Sequence, residues 1–283
     1  MFKISSILLI IITILLSSCS TAYKIRKENK KYHKISTGIR YSAYKKTSEK
    51  GLTAILNKYN QNHDSLNASE ESLHSYLGLL MLIANQNRFA AAESNIVLER
   101  NKTKINNFAA HNIIASIKRD KELFLTAKLE EDIADSLSNN INFNSISDFD
   151  KFSIELILAN SNLQKQNYTS ASANFANLAS ITSIKWPSNI CNILSNIKNG
   201  DSKQAKEMFE QLKNNKGTPE IVQQWSKKII PELIENPNKL IEYSDLPNDI
   251  IKAYIKGQLT YNTISEAKDI TEKLLFSLLK AKK

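Results

Sequence analysis

The stretch Asn167-Tyr168-Thr169-Ser170-Ala171-Ser172-Ala173-Asn174-Phe175-Ala176-Asn177-Leu178 returns 34 residues later as Asp201-Ser202-Lys203-Gln204-Ala205-Lys206-Glu207-Met208-Phe209-Glu210-Gln211-Leu212. In each copy a small residue, an aromatic and an aliphatic fall at i, i+4 and i+7, one face of an α-helix. Each copy follows an apolar helical stretch by about one turn. The first stretch carries Phe152, Leu156, Ala159 and Leu163; the second carries Ile190, Ile193, Leu194 and Ile197. Two helices joined by a short turn and repeated at a fixed period make a helical-hairpin repeat. Asn199-Gly200-Asp201 reads as the turn of the second copy, with Gly200 in a left-handed cap and Asp201 or Ser202 capping the next helix. Thr218-Pro219-Glu220 reads as another helix start.

Two weaker copies lie upstream. Leu79, Leu80 and Ile83 precede Asn87-Arg88-Phe89, Ala92 and Ile96; Ala115 and Ile117 precede Phe124, Ala127 and Ala134. Aligned on the small residue, Ala92 and Ala127 mark these copies. The segment Ser136 to Asp150, rich in Ser, Asn and Asp, reads as a longer loop between the second and third hairpins. From about Ser72 to Lys216 the chain resembles the tetratricopeptide (TPR) family, although the family's usual tryptophan, leading glycine and closing proline are mostly missing. The expected fold is all-α: a solenoid of TPR-like hairpins over residues 51–230. A helical cap over residues 231–283 follows, its last helix opening at Thr263-x-x-Glu266 and turning Ala267, Ile270, Leu274, Leu275 and Leu278 inward. Pro231, Pro237 and Pro247 are expected to break the cap into short helices.

The N-terminus reads differently. Lys3 followed by the apolar run Ile4 to Leu16 forms a secretory signal too short to span a bilayer. It ends in Leu16-Ser17-Ser18-Cys19, which resembles a bacterial lipobox; residues 1–18 are the expected signal peptide. The resemblance implies acylation of Cys19, palmitate included. Ser20 in place of aspartate implies an outer-membrane lipoprotein facing the periplasm, or one on the cell membrane where there is a single membrane. Residues 19–50 are the expected lipidated tether. Residues 20–50 hold ten Lys or Arg and two acids, and the chain from Gly51 onward is nearly neutral, so most of the net charge of +10 sits beside the anchor. Lys24, Arg26, Lys27, Lys30 and Lys31 are therefore the candidates for contact with anionic lipid headgroups. A nucleic-acid partner is not expected, because no basic face runs along the repeats.

Chemistry leaves little trace. Glu71-x-x-His74 has the spacing of half a di-iron site without a second copy, and reads as a solvated pair. Asp148-x-Asp150 starts like a calcium loop but lacks its later ligands. Cys191, among Ile190, Ile193 and Leu194, reads as a small buried apolar residue. No metal, cofactor or catalytic residue is expected. The resemblance implies a scaffold that binds envelope proteins of the outer-membrane insertion, pilus, secretin or peptidoglycan machineries. It also implies that partners lie along the first helix of each hairpin, which points to Asn112, Ser116, Arg119, Asn160, Gln164 and Lys198. The alternative is a periplasmic enzyme or ligand-binding lipoprotein on an irregular helical frame.

Overall fold

The computed structural model describes residues 20–61, 69–83, 85–181, 185–215, 217–218 and 220–237, and every regular element among them is helical. The signal segment, Cys19, and the closing helix expected after Thr263 lie outside the described residues. In chain order the elements are α1 (residues 20–36), α2 (Tyr41–Gln61), α3 (Glu70–Ile83), α4 (Asn87–Arg100), α5 (Lys104–Asp120), α6 (Phe124–Ser138), a 3₁₀ turn at Phe143–Ser145, α7 (Asp148–Gln164), α8 (Tyr168–Ile181), α9 (Trp186–Lys198), α10 (Ser202–Lys213) and α11 (Glu220–Glu235).

Helices α3/α4, α5/α6, α7/α8 and α9/α10 pack as four hairpins. One backbone device closes all four. Asn85, Glu122, Gln166 and Gly200 each adopt a left-handed conformation, with φ of 57°, 57°, 58° and 81°. At each, the N–H of the left-handed residue donates to the carbonyl three residues back, and the next N–H donates to the carbonyl five residues back. The longer bonds are Gln86 to Met81 at 2.7 Å, Leu123 to Lys118 at 2.8 Å, Asn167 to Asn162 at 2.9 Å and Asp201 to Asn196 at 2.9 Å. This is the Schellman motif, and it satisfies carbonyls that the end of a helix would leave unpaired. Four residues after each of Gln86, Leu123, Asn167 and Asp201, an N–H donates back to that residue's carbonyl and opens the second helix.

The turns set the register of the repeat. Ala90, Ala127, Ala171 and Ala205 occupy the same position after them, and all four are fully buried. The small residue of the first copy is therefore Ala90; Ala92, the residue its sequence suggests, lies two positions further on. Residues four and seven positions on are buried in every copy: Ser94 and Val97, Glu131 and Ala134, Phe175 and Leu178, Phe209 and Leu212.

Side-chain caps start several helices. Thr103, Ser147 and Asp201 accept the backbone N–H three residues on at 3.3, 3.1 and 3.0 Å, each supplying a partner to an otherwise orphaned donor. The largest apolar cluster joins α2, α3, α4, α5, α7 and α8, and reaches Cys191 of α9. A second joins α9, α10 and α11, including Ile230, Leu233 and Ile234 on either side of Pro231. Helix α11 runs through Pro231 without the expected break, so the boundary expected between residues 230 and 231 falls inside one helix. The proline forfeits one helical hydrogen bond, and burial of the flanking residues holds the helix together.

A left-handed residue with a side chain costs roughly 1–2 kcal/mol relative to the right-handed form, a cost that glycine escapes. A Cβ added at Gly200 meets no atom within 4 Å, so the effect there is conformational alone. Gly200→Ala should therefore lower stability by about 1 kcal/mol, and Gln166→Gly should raise it by about 0.5–1 kcal/mol. Urea unfolding followed by circular dichroism checks both; equal signs for the two variants would contradict the shared-turn geometry.

Candidate functional site

The six residues expected to line a partner groove do not form one solvent-facing row. Asn112, Ser116 and Asn160 are buried. The Asn112 amide donates to the Phe108 carbonyl one turn back at 2.9 Å. Gln164 is exposed and Lys198 half-buried. Arg119 is already engaged within the fold: it grips Glu131 with two bonds of 2.6 and 2.9 Å. The reason lies in the repeat. Glu131 stands where Phe175 and Phe209 stand in later copies, so a carboxylate has entered an inter-helix position. Arg119 and, at 3.5 Å, Lys165 of the next hairpin neutralise it there. Burial raises the Glu131 pKa, but the hydrogen bond from Arg119 and the positive charges of Lys165 and Arg119 outweigh it, leaving the group below the usual carboxylate range.

A second polar cluster sits deeper, and the sequence reading missed it. Glu93 of α4 and His74 of α3 are both fully buried, with His74 Nδ1 2.6 Å from Glu93 Oε2. The other carboxylate oxygen accepts the Ser48 hydroxyl at 2.7 Å and the Tyr44 phenol, both from α2. Gly78, one turn after His74, lets the helices close: a Cβ there would stand 3.3 Å from the Glu93 Cβ. One carboxylate thus pins three helices. His74, with Glu71, is not the solvated pair its spacing suggests; both are buried. The phenol of Tyr44 is held far above its usual range by burial first, then by the charge of Glu93 and the bond to it. His74 Nε2 and Glu71 Oε1 are buried with no hydrogen-bond partner among the described residues. The cluster is closed to solvent, which suits a structural clamp.

The third cluster ties the basic N-terminal segment to the body. That segment is helical, where a tether was expected. Along α1, Ile25, Glu28, Tyr32 and Ile35 face inward. The Glu28 carboxylate accepts the backbone N–H of Thr126 at 2.8 Å and its hydroxyl at 2.9 Å, capping the first turn of α6. The charge also suits the positive end of that helix. The Tyr32 ring lies under the Lys118 ammonium, 4.8 Å from the centroid, a cation–π contact. Lys118 and His111 both reach Glu130, each at 2.7 Å. Burial raises the Glu130 carboxyl, yet those two bonds and the charges behind them carry it below its ordinary value of 4.5. Ile35 and Ile39 pack on the main core. The expected lipid-contact residues Lys24, Arg26, Lys27, Lys30 and Lys31 are all exposed on the outer side.

Elsewhere, a cavity of about 400 Å³ opens beside α7 and α8, with Phe143, Ile146, Ile154, Leu158 and Ile181 on its apolar side and Lys151, Glu155, Asn177 and Ser180 on its polar side. Cys191 is a free thiol at full burial, and that burial pushes its pKa far up, as an inert apolar residue requires. Among the described residues no group of three or more His, Cys, Asp or Glu is placed to hold a metal ion. No helix among them is long and apolar enough to cross a membrane. The sequence matches no family model, and no curated protein and no solved structure matches it.

Two outcomes follow from these clusters. Glu93→Ala leaves His74, Tyr44 and Ser48 unpaired in a dry interior and should cost about 3–5 kcal/mol, the usual cost of breaking a buried charged network. A loss below about 1 kcal/mol in denaturant unfolding would show that these groups re-pair or hydrate. For pH, Glu130 and Glu131 have folded pKa values depressed below 4.5, so their stabilisation is complete above that value and is lost as pH falls through the folded values. The melting temperature should fall from pH 6 to pH 3, both rough bounds on that window, and Glu130→Gln with Glu131→Gln should flatten the slope. An unchanged slope in the double variant would assign the acid sensitivity to other carboxylates.

Proposed function

We propose that this protein is a lipid-anchored periplasmic scaffold, non-enzymatic, whose TPR-like hairpins bind other envelope proteins. The observation that carries the reading is the fourfold recurrence of one Schellman turn with a buried alanine at a fixed distance after it. Each hairpin hides its apolar face on its neighbours, the logic of a solenoid, and solenoids serve as binding surfaces. The Leu16-Ser17-Ser18-Cys19 segment supplies the anchor, and several acyl chains hold a protein where one is marginal. By that resemblance the home is the outer membrane, with the body in the periplasm. The partner surface lies away from Asn112, Ser116, Arg119 and Asn160, which the interior consumes. The alternative reading is a periplasmic enzyme or ligand-binding lipoprotein on an irregular helical frame.

The anchor is tested directly. Cys19→Ser should abolish incorporation of labelled palmitate and release the protein from the membrane fraction or leave it unprocessed. Continued palmitate labelling of the variant would place the lipid elsewhere and remove the basis of the reading.

A further inference from the structure

Helix α1 begins next to Cys19 and is bolted to the body. Its inward residues cap α6 through Glu28 and hold Lys118 through Tyr32. Its outward residues are Lys24, Arg26, Lys27, Lys30, Lys31 and Lys34, all exposed, and none has an acidic partner among the described residues. Tyr23, 68% exposed, stands among them. Phenol rings of this kind favour the boundary between headgroups and acyl chains.

Helix α6 adds a second feature. Phe124, Leu125, Leu129 and Ile133 are exposed, at 57, 37, 45 and 44%. Leu125, Leu129 and Ile133 repeat every four residues, so they form one stripe. Leu125 and Leu129 directly precede Thr126 and Glu130. Thr126 takes the Glu28 carboxylate, and the charge of Glu130 acts on Tyr32. The apolar stripe therefore borders the α1 contact. Asp132, three residues after Leu129, lies beside the stripe, and Lys128 neutralises it at 2.8 Å; Asp135 falls on the flank away from α1.

We propose that the outer face of α1 and the adjoining stripe of α6 are one docking surface for an anionic lipid bilayer, and that docking fixes the orientation of the helical body on the membrane. The inference rests on the lipid-anchor reading, because acylated Cys19 would deliver this face to the bilayer. Unpaired bases attract anionic headgroups. Apolar side chains beside them enter the headgroup boundary, as the apolar side of an interfacial helix does. The Glu28 cap makes the two elements move together. A flexible tether would leave the body free to tumble; this bracket does not.

The experiment uses the mature chain, residues 19–283 expressed without the signal segment and with Cys19→Ser, so that the surface is read without the lipid. Vesicles are phosphatidylcholine with or without phosphatidylglycerol. A polarity-sensitive label is placed at Leu125→Cys or Leu129→Cys, with exposed Ala176→Cys on α8 as the control; Cys191 is buried and stays in place. Binding should be at least about tenfold tighter to the anionic vesicles and should weaken in high salt. Reversing Lys24, Lys27 and Lys31 should abolish it. On binding, the labels at 125 and 129 should report an apolar setting and the label at 176 an aqueous one. Glu28→Ala, with helicity verified, should keep vesicle binding through α1 but lose the response at 125. Vesicle binding with the labels at 125 and 129 still aqueous would overturn the α6 part and leave a basic helix alone. No vesicle binding, in a protein whose native Cys19 still takes palmitate, would overturn the docking surface while the anchor stands. Labels buried before vesicles are added, with a dimer in sedimentation, would assign the stripe to a second copy and overturn the proposal.

Discussion

A single backbone conformation, the left-handed residue between paired helices, governs the architecture. At Asn85, Glu122, Gln166 and Gly200 it reverses the chain within two residues and pays the orphaned carbonyls of the first helix with two N–H groups. Because the reversal is so short, the distance from the turn to the first small residue of the second helix is fixed. Ala90, Ala127, Ala171 and Ala205 then share one position after the turn, and all four are fully buried. Everything else is free to vary, and does.

That freedom explains which copies could be read from the sequence. The third and fourth hairpins place Phe and Leu at the two positions after the alanine, and their pattern is plain. The first places Ser94 and Val97 there, the second Glu131 and Ala134, all buried by the same geometry. Ser94 returns its hydroxyl to the Ala90 carbonyl at 3.0 Å, and Glu131 needs Arg119 and Lys165. Side-chain type had changed at constant position, so residue-class patterns lost the signal. Gly200 announced its turn because only glycine adopts positive φ at no cost; Glu122 and Gln166 pay for it and leave no mark. In the first copy Ala90, Ala91 and Ala92 are all buried, and nothing in the run itself says which one faces the turn.

The polar residues followed the same logic. Amides join helices both within a hairpin and between hairpins. Asn162 bonds Asn174 at 2.9 Å, and Asn174 bonds Glu155 at 2.8 Å, joining α7 to α8. Ser172 bonds Asn192 at 2.6 Å, joining α8 to α9. A helical face rich in Asn is compatible with either a ligand groove or an internal seam, because the amide satisfies donors and acceptors in both settings. Only the packing decides, and it assigns Asn112 and Asn160 to the interior. His74 and Glu93 are nineteen residues apart on different helices, so no local spacing could have paired them.

The basic segment shows how charge can hide periodicity. Between residues 20 and 50 the density of lysine points to electrostatics and to a tether. Yet Ile25, Glu28, Tyr32, Ile35 and Ile39 recur every three or four residues, the spacing of one helical face. An acid belongs to that inward face, which hydrophobicity alone would not select. Glu28 is inward because α6 presents unpaired N–H groups at its first turn and no side-chain cap of its own at Leu123. The helix end that lacks a local cap has recruited one from about a hundred residues away. In doing so it packs the basic stretch onto the repeats as a helix, held by one carboxylate at the first turn of α6.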